Sequence, residues 1–241
     1  VASINRAKDL DEAVRMMGGS RYGNACSIFT TSGKAAREFR YHAGISMIGP
    51  HVDMPWADEQ RMIDLNITAL TALTHALLPA MTQRRRGHIV NISSIGVLAS
   101  SPRFSAYVAS KAALDAFSRC AQAEFSGKNI AFTTVNMPLV KTPMIAPTKM
   151  YDSVPTLTPE EAADLIVKAI IERPSRVATR LGVFAGVMHA VFPKAYEVVI
   201  STAFELFPDS AAAKGMKGRA DMAQPTSEQI AFASVMRGVH W

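Results

Sequence analysis

Apolar residues recur every three or four positions from 57 to 81, in ADEQRMIDLNITALTALTHALLPAM, and this spacing predicts one long helix with Pro79 near its end. After the polar turn from Gln83 to Gly87, HIVNIS at 88–93 is short, rich in β-branched residues and bounded by Gly87 and a serine pair, so a buried strand is expected. Small and apolar residues then repeat at helical spacing from 104 to 126, with Gly127 placed to stop the helix. IAFTTVNM at 130–137 is a second strand ended by Pro138, and 139–157 is a Pro- and Thr-containing loop without periodicity. Thr158-Pro159-Glu160-Glu161 supplies an N-cap, a proline in the first turn and a glutamate three residues after the cap, predicting a helix to about Glu172. RVATR at 176–180 reads as a further strand. Residues 182–207, apolar with few charges, read as a pair of helices closing a pocket or a subunit contact. Residues 208–228 read as a polar linker and FASVMRGVHW as a docking tail.

Strands alternating with helices imply right-handed crossovers and an α/β fold with a Rossmann-like, doubly wound parallel sheet. At 241 residues and 49% hydrophobic content, one domain with one sizeable core is the expectation. Lysine plus arginine exceed aspartate plus glutamate by 26 − 20 = 6, which suits an anionic ligand such as a dinucleotide or coenzyme A. The densest run, Arg84-Arg85-Arg86, lies between two apolar stretches and reads as a solvated helix end. No aromatic stacking platform accompanies it, so no nucleic acid partner is expected. Cys26 and Cys120 share no metal or disulfide spacing, no secretory leader is visible, and no apolar run reaches membrane-spanning length. The expectation is a cytoplasmic chain, soluble or peripheral to a membrane, with no metal site.

Tyr107 and Lys111 stand one turn apart on one helix face. Ser94 ends the preceding strand, and Asn66 lies inside the preceding long helix. Carbonyl reduction needs a proton donor beside the oxygen, a cation that eases loss of that proton, and a group that polarises the carbonyl. The phenol of Tyr107, with an ordinary pKa of about 10, is expected to be drawn toward working pH by the Lys111 ammonium. Ser94 would hold the substrate oxygen, and Asn66 would position a water linking the lysine to solvent. A tyrosine and a lysine one turn apart also occur on ordinary helices. The pattern gains its weight from order: asparagine in a long helix, a strand ending in Ser-Ser, tyrosine and lysine on the next helix, then a strand ending in proline.

The segment GHIVNISSIGVLASSPRFSAYVASKAALDAFSRC resembles the catalytic segment of the short-chain dehydrogenase/reductase family, and the likeness runs from about His42 to Phe207. In that family the serine thirteen residues before the tyrosine is catalytic, which selects Ser94 over Ser93. The resemblance therefore implies a tetrad of Asn66, Ser94, Tyr107 and Lys111, with Tyr107 and Lys111 also meeting the nicotinamide ribose. It implies further cofactor contacts from Pro138, Val140 and Thr142 after the second strand, and from Ala43 and Gly44, where the family's Asn-Asn-Ala-Gly reads Tyr41-His42-Ala43-Gly44. No TGxxxGxG turn for the pyrophosphate is present. VASINRAKDLDEAVRMMGG aligns best with the family's second strand and helix, so the first strand and glycine loop are expected to be missing. Residues 20–40 are too short and irregular for the third and fourth strands. On that alignment Arg6 follows the second strand, where a basic residue suits the 2′-phosphate and favours NADPH over NADH. The domain would span 1–207, with 208–241 as linker and docking tail. Family members pair through the two long helices, implying a homo-oligomer.

Further stretches, among them RRRGHIVNISSIGV, MPLVKTPMIAPTKMYDSVPTLTPEEAA and RVATRLGVFA, are similar to the reductase domain of bacterial fatty acyl-CoA reductases. The implied reaction is NADPH-dependent reduction of a long-chain acyl-CoA to the fatty aldehyde, in lipid metabolism, with an acyl-CoA or aldehyde as small-molecule partner. No cysteine nucleophile is required, and Cys120, about 20 Å beyond Tyr107 along the helix axis, is expected to pack in the core. The apolar 182–207 stretch suits an acyl chain or a membrane surface, and equally ordinary core or dimer contact. A generic ketone or 3-oxoacyl reductase is the competing enzyme. An inactive fragment or scaffold without cofactor binding is the competing non-enzyme.

Overall fold

The computed structural model describes residues 50–141 and 156–206, together with Ser46 and Ser227. Helix α1 (Trp56–Ile63) runs through a π turn (Asp64–Thr68) into α2 (Ala69–Gln83), so the helix expected over 57–81 is continuous but widened around Asn66. Pro79 lies inside α2 without ending it. Strand β1 (Gly87–Ser94) is followed by a one-turn helix α3 (Gly96–Ala99), the long helix α4 (Ser105–Phe125) and strand β2 (Ile130–Met137). Helix α5 (Pro159–Glu172) leads to the two-residue strand β3 (Arg176–Val177), then to helices α6 (Arg180–Val191) and α7 (Pro193–Leu206).

The three strands lie side by side in the order β1-β2-β3, all parallel. The register pairs Gly87 with Ile130 and Ser94 with Met137, so the two long strands start and finish together. Helices cover both faces, which is why β1 and β2 are buried at nearly every position instead of alternately. On one face Met81, Ile89, Ala121, Ile130 and Phe132 form a core with Phe117 and Phe125. On the other, Val90, Ile92 and Val135 pack against Ile166 and Ala169 of α5.

Several local expectations hold and three are corrected. Thr158 and Glu161 form the reciprocal cap of α5, with Thr158 Oγ1 accepting from Glu161 N at 3.2 Å and Glu161 Oε2 accepting from Thr158 N at 2.8 Å. Gly127 does not stop the helical path: α4 ends at Phe125, a 3-10 turn (Ser126–Lys128) continues it, and Asn129 closes that turn in the left-handed conformation at φ 57°. The Asn129 amide also donates to Arg85 O at 3.1 Å, tying together the two turns below the sheet. RVATR is strand only at Arg176–Val177, because Thr179 Oγ1 accepts from Gly182 N and caps α6. Cys120 is exposed, one position off the stripe of α4 that buries Phe117 and Ala121.

His88, at the amino end of β1, is held neutral: burial, and then the nearby Arg173 charge, lower its pKa from 6.5 to about 4. Thr133 Oγ1 donates to Pro174 O, so it accepts from His88 Nε2–H at 2.9 Å. The unfolded chain therefore binds a proton at His88 before the folded chain does. The stability this histidine contributes is complete above about pH 6.5 and is lost as pH falls toward 4. Urea midpoints measured between those values should fall more steeply for the native chain than for His88→Gln. Equal slopes would show that His88 does not drive the acid sensitivity.

Candidate active site

Along the sheet face that meets α4, polarity rises toward the carboxyl ends of the strands. Ile89 and Phe132 lie at the bottom; Asn91, Ser93 and Asn136 lie above them. Helix α4 mirrors this gradient in reverse chain order, from Phe117 and Ala121 up through Ser118, Asp115, Lys111 and Ser110 to Tyr107. The buried polar groups stitch helix to sheet. Asn91 Nδ2 donates to Ser118 Oγ at 2.9 Å, Lys111 Nζ to Ile92 O at 2.8 Å, and Asn136 Nδ2 to Asp115 Oδ2 at 3.1 Å.

At the top of this gradient the structure brings Ser94, Tyr107 and Lys111 together. Ser94 is the last residue of β1, and its Oγ accepts from Gly96 N at 3.1 Å while hydrogen-bonding the Tyr107 phenol. The neighbouring Ser93 points into the sheet–helix layer, within 3.4 Å of Lys111 O, and is buried. The geometry thus separates the two serines. Lys111 is 1% exposed, with Nζ 6.0 Å from the Tyr107 ring centroid.

The expectation that Lys111 draws the Tyr107 phenol downward is corrected. Burial pushes the phenol above its ordinary value, and the hydrogen bond with Ser94 opposes that rise. Lys111 Nζ donates to the Ile92 carbonyl. Asn66 is fully buried in the π turn and its Nδ2 donates to Ser110 Oγ at 3.1 Å; Ser110 Oγ in turn donates to Tyr107 O at 2.7 Å. Asn66 is therefore joined to the backbone of Tyr107 through Ser110.

Pro138 and Val140 continue from β2 beyond the Ser94–Met137 pair and are half-buried. Val140 bridges to Leu157, with Lys141 N and Leu157 N donating to Leu157 O and Leu139 O. Arg6, Ala43, Gly44 and Thr142 lie outside the described residues. Sequence reasoning missed Ser110, Asp115 and Asn136. The signal for Asp115 was its place at the next turn of the stripe that carries Tyr107 and Lys111.

The α6–α7 hairpin seats on the chain between Ser94 and Tyr107. Gly182 allows the approach, since a Cβ there would stand 2.9 Å from Ile95 Cγ1. Tyr196 Oη donates to Ala99 O, His189 stacks on Tyr196 at 5.2 Å, and Arg103 donates to Phe204 O at 3.1 Å with its guanidinium 4.1 Å over the Phe204 ring.

Residues 40–151, the stretch that carries Ser94, Tyr107 and Lys111, match the family model described as short chain dehydrogenase. A fatty acyl-CoA reductase of Acinetobacter baylyi is 52% identical over 76% of this chain and 61% of that protein. An uncharacterized oxidoreductase of Mycobacterium bovis is 41% identical over 97% of this chain and 66% of that protein. The chain belongs to the short-chain dehydrogenase/reductase family. It spans about three-fifths to two-thirds of the length of these relatives. As a member of this family it shares the fold of a short-chain dehydrogenase of Burkholderia cenocepacia in complex with NADP, which is 20% identical with a TM-score of 0.58 over 73% of each chain. A short-chain dehydrogenase of Streptomyces avermitilis, 24% identical, gives 0.54 over 73% of this chain and 77% of that one. No helix among the described residues is long and apolar enough to cross a membrane.

Proposed function

We propose that the chain is a nicotinamide-dependent carbonyl reductase whose substrate is a long-chain fatty acyl-CoA, reduced to the fatty aldehyde with NADPH. The observation that carries the carbonyl chemistry is the convergence of Ser94, Tyr107 and buried Lys111 at the carboxyl end of β1. A dinucleotide fits the residues present: ligands of open parallel sheets bind beyond the carboxyl ends of the strands, where Ser94, Pro138 and Val140 are only half-covered. Lys111, Pro138 and Val140 would hold it there, with Ala43, Gly44, Thr142 and, at the 2′-phosphate, Arg6. When bound, the cofactor supplies the hydride.

Ser94 orients the thioester oxygen. Tyr107 gives that oxygen its proton as the hydride reaches carbon, forming a hemithioacetal. The phenolate left behind recovers its proton from solvent before the next turnover. Breaking the C–S bond then releases the coenzyme A thiol and leaves the aldehyde. The long acyl chain is supported by the likeness to the Acinetobacter protein and by the outer arc of α6. There Val183, Phe184, Val187 and Val191 are 48–59% exposed, an apolar flank suited to an aliphatic chain or the edge of a lipid surface.

The test is to titrate NADPH and NADH into the purified chain, follow nicotinamide fluorescence, and then supply palmitoyl-CoA. Saturable NADPH binding with matched release of thiol and aldehyde is expected. Reduction of 3-oxoacyl or simple ketone substrates alone would replace the acyl-CoA reading with the generic one. A folded chain that binds neither nucleotide would refute activity for these residues by themselves.

A further inference from the structure

Ser94 is the last residue of β1, yet the peptide that follows it is held from both sides. Asn136 Nδ2 donates to Ser94 O at 3.3 Å, and Ile95 N donates to Met137 O at 2.9 Å. Because a peptide is planar, two consecutive residues of β2 thereby set the orientation of the whole 94–95 unit. The remaining freedom, rotation of the serine side chain, is restricted by the Gly96 amide at 3.1 Å. Asn136 is itself aimed by Asp115, whose Oδ2 accepts from the same Nδ2 at 3.1 Å.

Stability alone does not account for this pair. Asp115 is 2% exposed, and the Arg176 guanidinium lies at 4.0 Å, a long approach for an ion pair. Asp115 Oδ1 and Asn136 Oδ1 are both buried with no hydrogen-bond partner among the described residues. Burying acceptors in that way costs free energy that an apolar pair would not. The other face of the same strands is filled with Val90, Ile92 and Val135. Asp115 also continues the stripe of Tyr107 and Lys111 by one more turn of α4.

We propose that Asp115 and Asn136 are positioning residues, a buried pair that fixes the Ser94 hydroxyl by clamping the Ser94–Ile95 peptide. The proposal rests on the reading that Ser94 meets the substrate oxygen. Neither residue touches substrate; both act through the serine.

The test measures NADPH-dependent turnover of palmitoyl-CoA by the full chain in Asn136→Ala, Ser94→Ala and the double variant. Asn136→Ala is expected to lower kcat about tenfold, in keeping with the cost of slightly misplacing a reacting group, with NADPH affinity unchanged. In the Ser94→Ala background it should cost nothing further. Asp115→Asn, which still offers an oxygen to the Asn136 amide, should lose less than Asp115→Ala. If Asn136→Ala does not fold, Asn136→Ser replaces it in the same cycle. Losses that add to those of Ser94→Ala would overturn the proposal, as would losses that follow only a lowered denaturation midpoint.

Absence of turnover in the native chain would count against the acyl-CoA reading, not against the pair. The pair is then read without turnover, by alkaline ultraviolet difference titration of the Tyr107 phenol against Tyr107→Phe. Since the Ser94 hydrogen bond holds that phenol down, Asn136→Ala and Ser94→Ala should raise its titration alike, and together no further. An unmoved phenol in Asn136→Ala would overturn the clamp.

Discussion

Tyr107→Phe is expected to reduce kcat about 10²- to 10⁴-fold, the range associated with losing a positioned proton donor, while NADPH binding measured by fluorescence stays close to native. The ring still packs edge-on to Phe104, 6.2 Å away, so the fold should survive the loss of one oxygen. The pH dependence follows from the direction of the shift. Burial raises the Tyr107 phenol above its ordinary value, so the donor form persists through neutral pH and reduction should fall only on the alkaline side. Ser94→Ala removes the hydrogen bond that opposes the rise, and should carry the residual alkaline limb to still higher pH. Retention of kcat within about threefold in Tyr107→Phe would remove the phenol from the proton-transfer step.

Phe132→Ala should destabilise the chain by about 3–5 kcal/mol, the usual cost of emptying a buried aromatic site. Phe132 is 2% exposed and lies where Met81, Ile89, Ala121 and Ile130 meet, with Phe117 at 6.5 Å and Phe125 at 6.2 Å between ring centroids. Removing it strips both aromatic pairings and loosens α4 from β2 at the end farthest from Ser94. The check is a urea titration in which the midpoint drops while the slope holds. Because α4 carries both Tyr107 and Lys111, turnover should decline with the folded fraction and recover when a saturating nucleotide stabilises the native state. A loss of stability below about 1 kcal/mol would mean that the neighbouring side chains close over the site.

Much of this was legible before any coordinates. The β-branched runs at 88–93 and 130–137 are buried strands because helices cover both faces, and continuous apolar runs signal that arrangement. The α5 cap could be read from four residues because capping is local chemistry. The order of Asn66, Ser94, Tyr107 and Lys111 was visible because the tetrad follows the alternation of helix and strand.

What was not legible depended on contacts between distant segments. The π turn around Asn66 has no local signature, and its asparagine finds Ser110 44 residues away. Helix α3 is too short to show a period, and Cys120 is exposed by the rotation of α4 about its own axis. The sign of the Tyr107 shift is a matter of burial, which no spacing reports.

Sequence by itself determined the class of fold and the parallel pairing of strands, because periodicity, caps and order along the chain are encoded within one or two turns; the four residues of the candidate tetrad came from its resemblance to the family. Only the tertiary structure decided which serine faces the phenol, that Lys111 holds the Ile92 carbonyl, and that Asp115 and Asn136 meet beneath Ser94. Those choices turn on hydrogen bonds and burial between residues brought together by packing, and such distances exist only once β1, β2 and α4 have closed on one another.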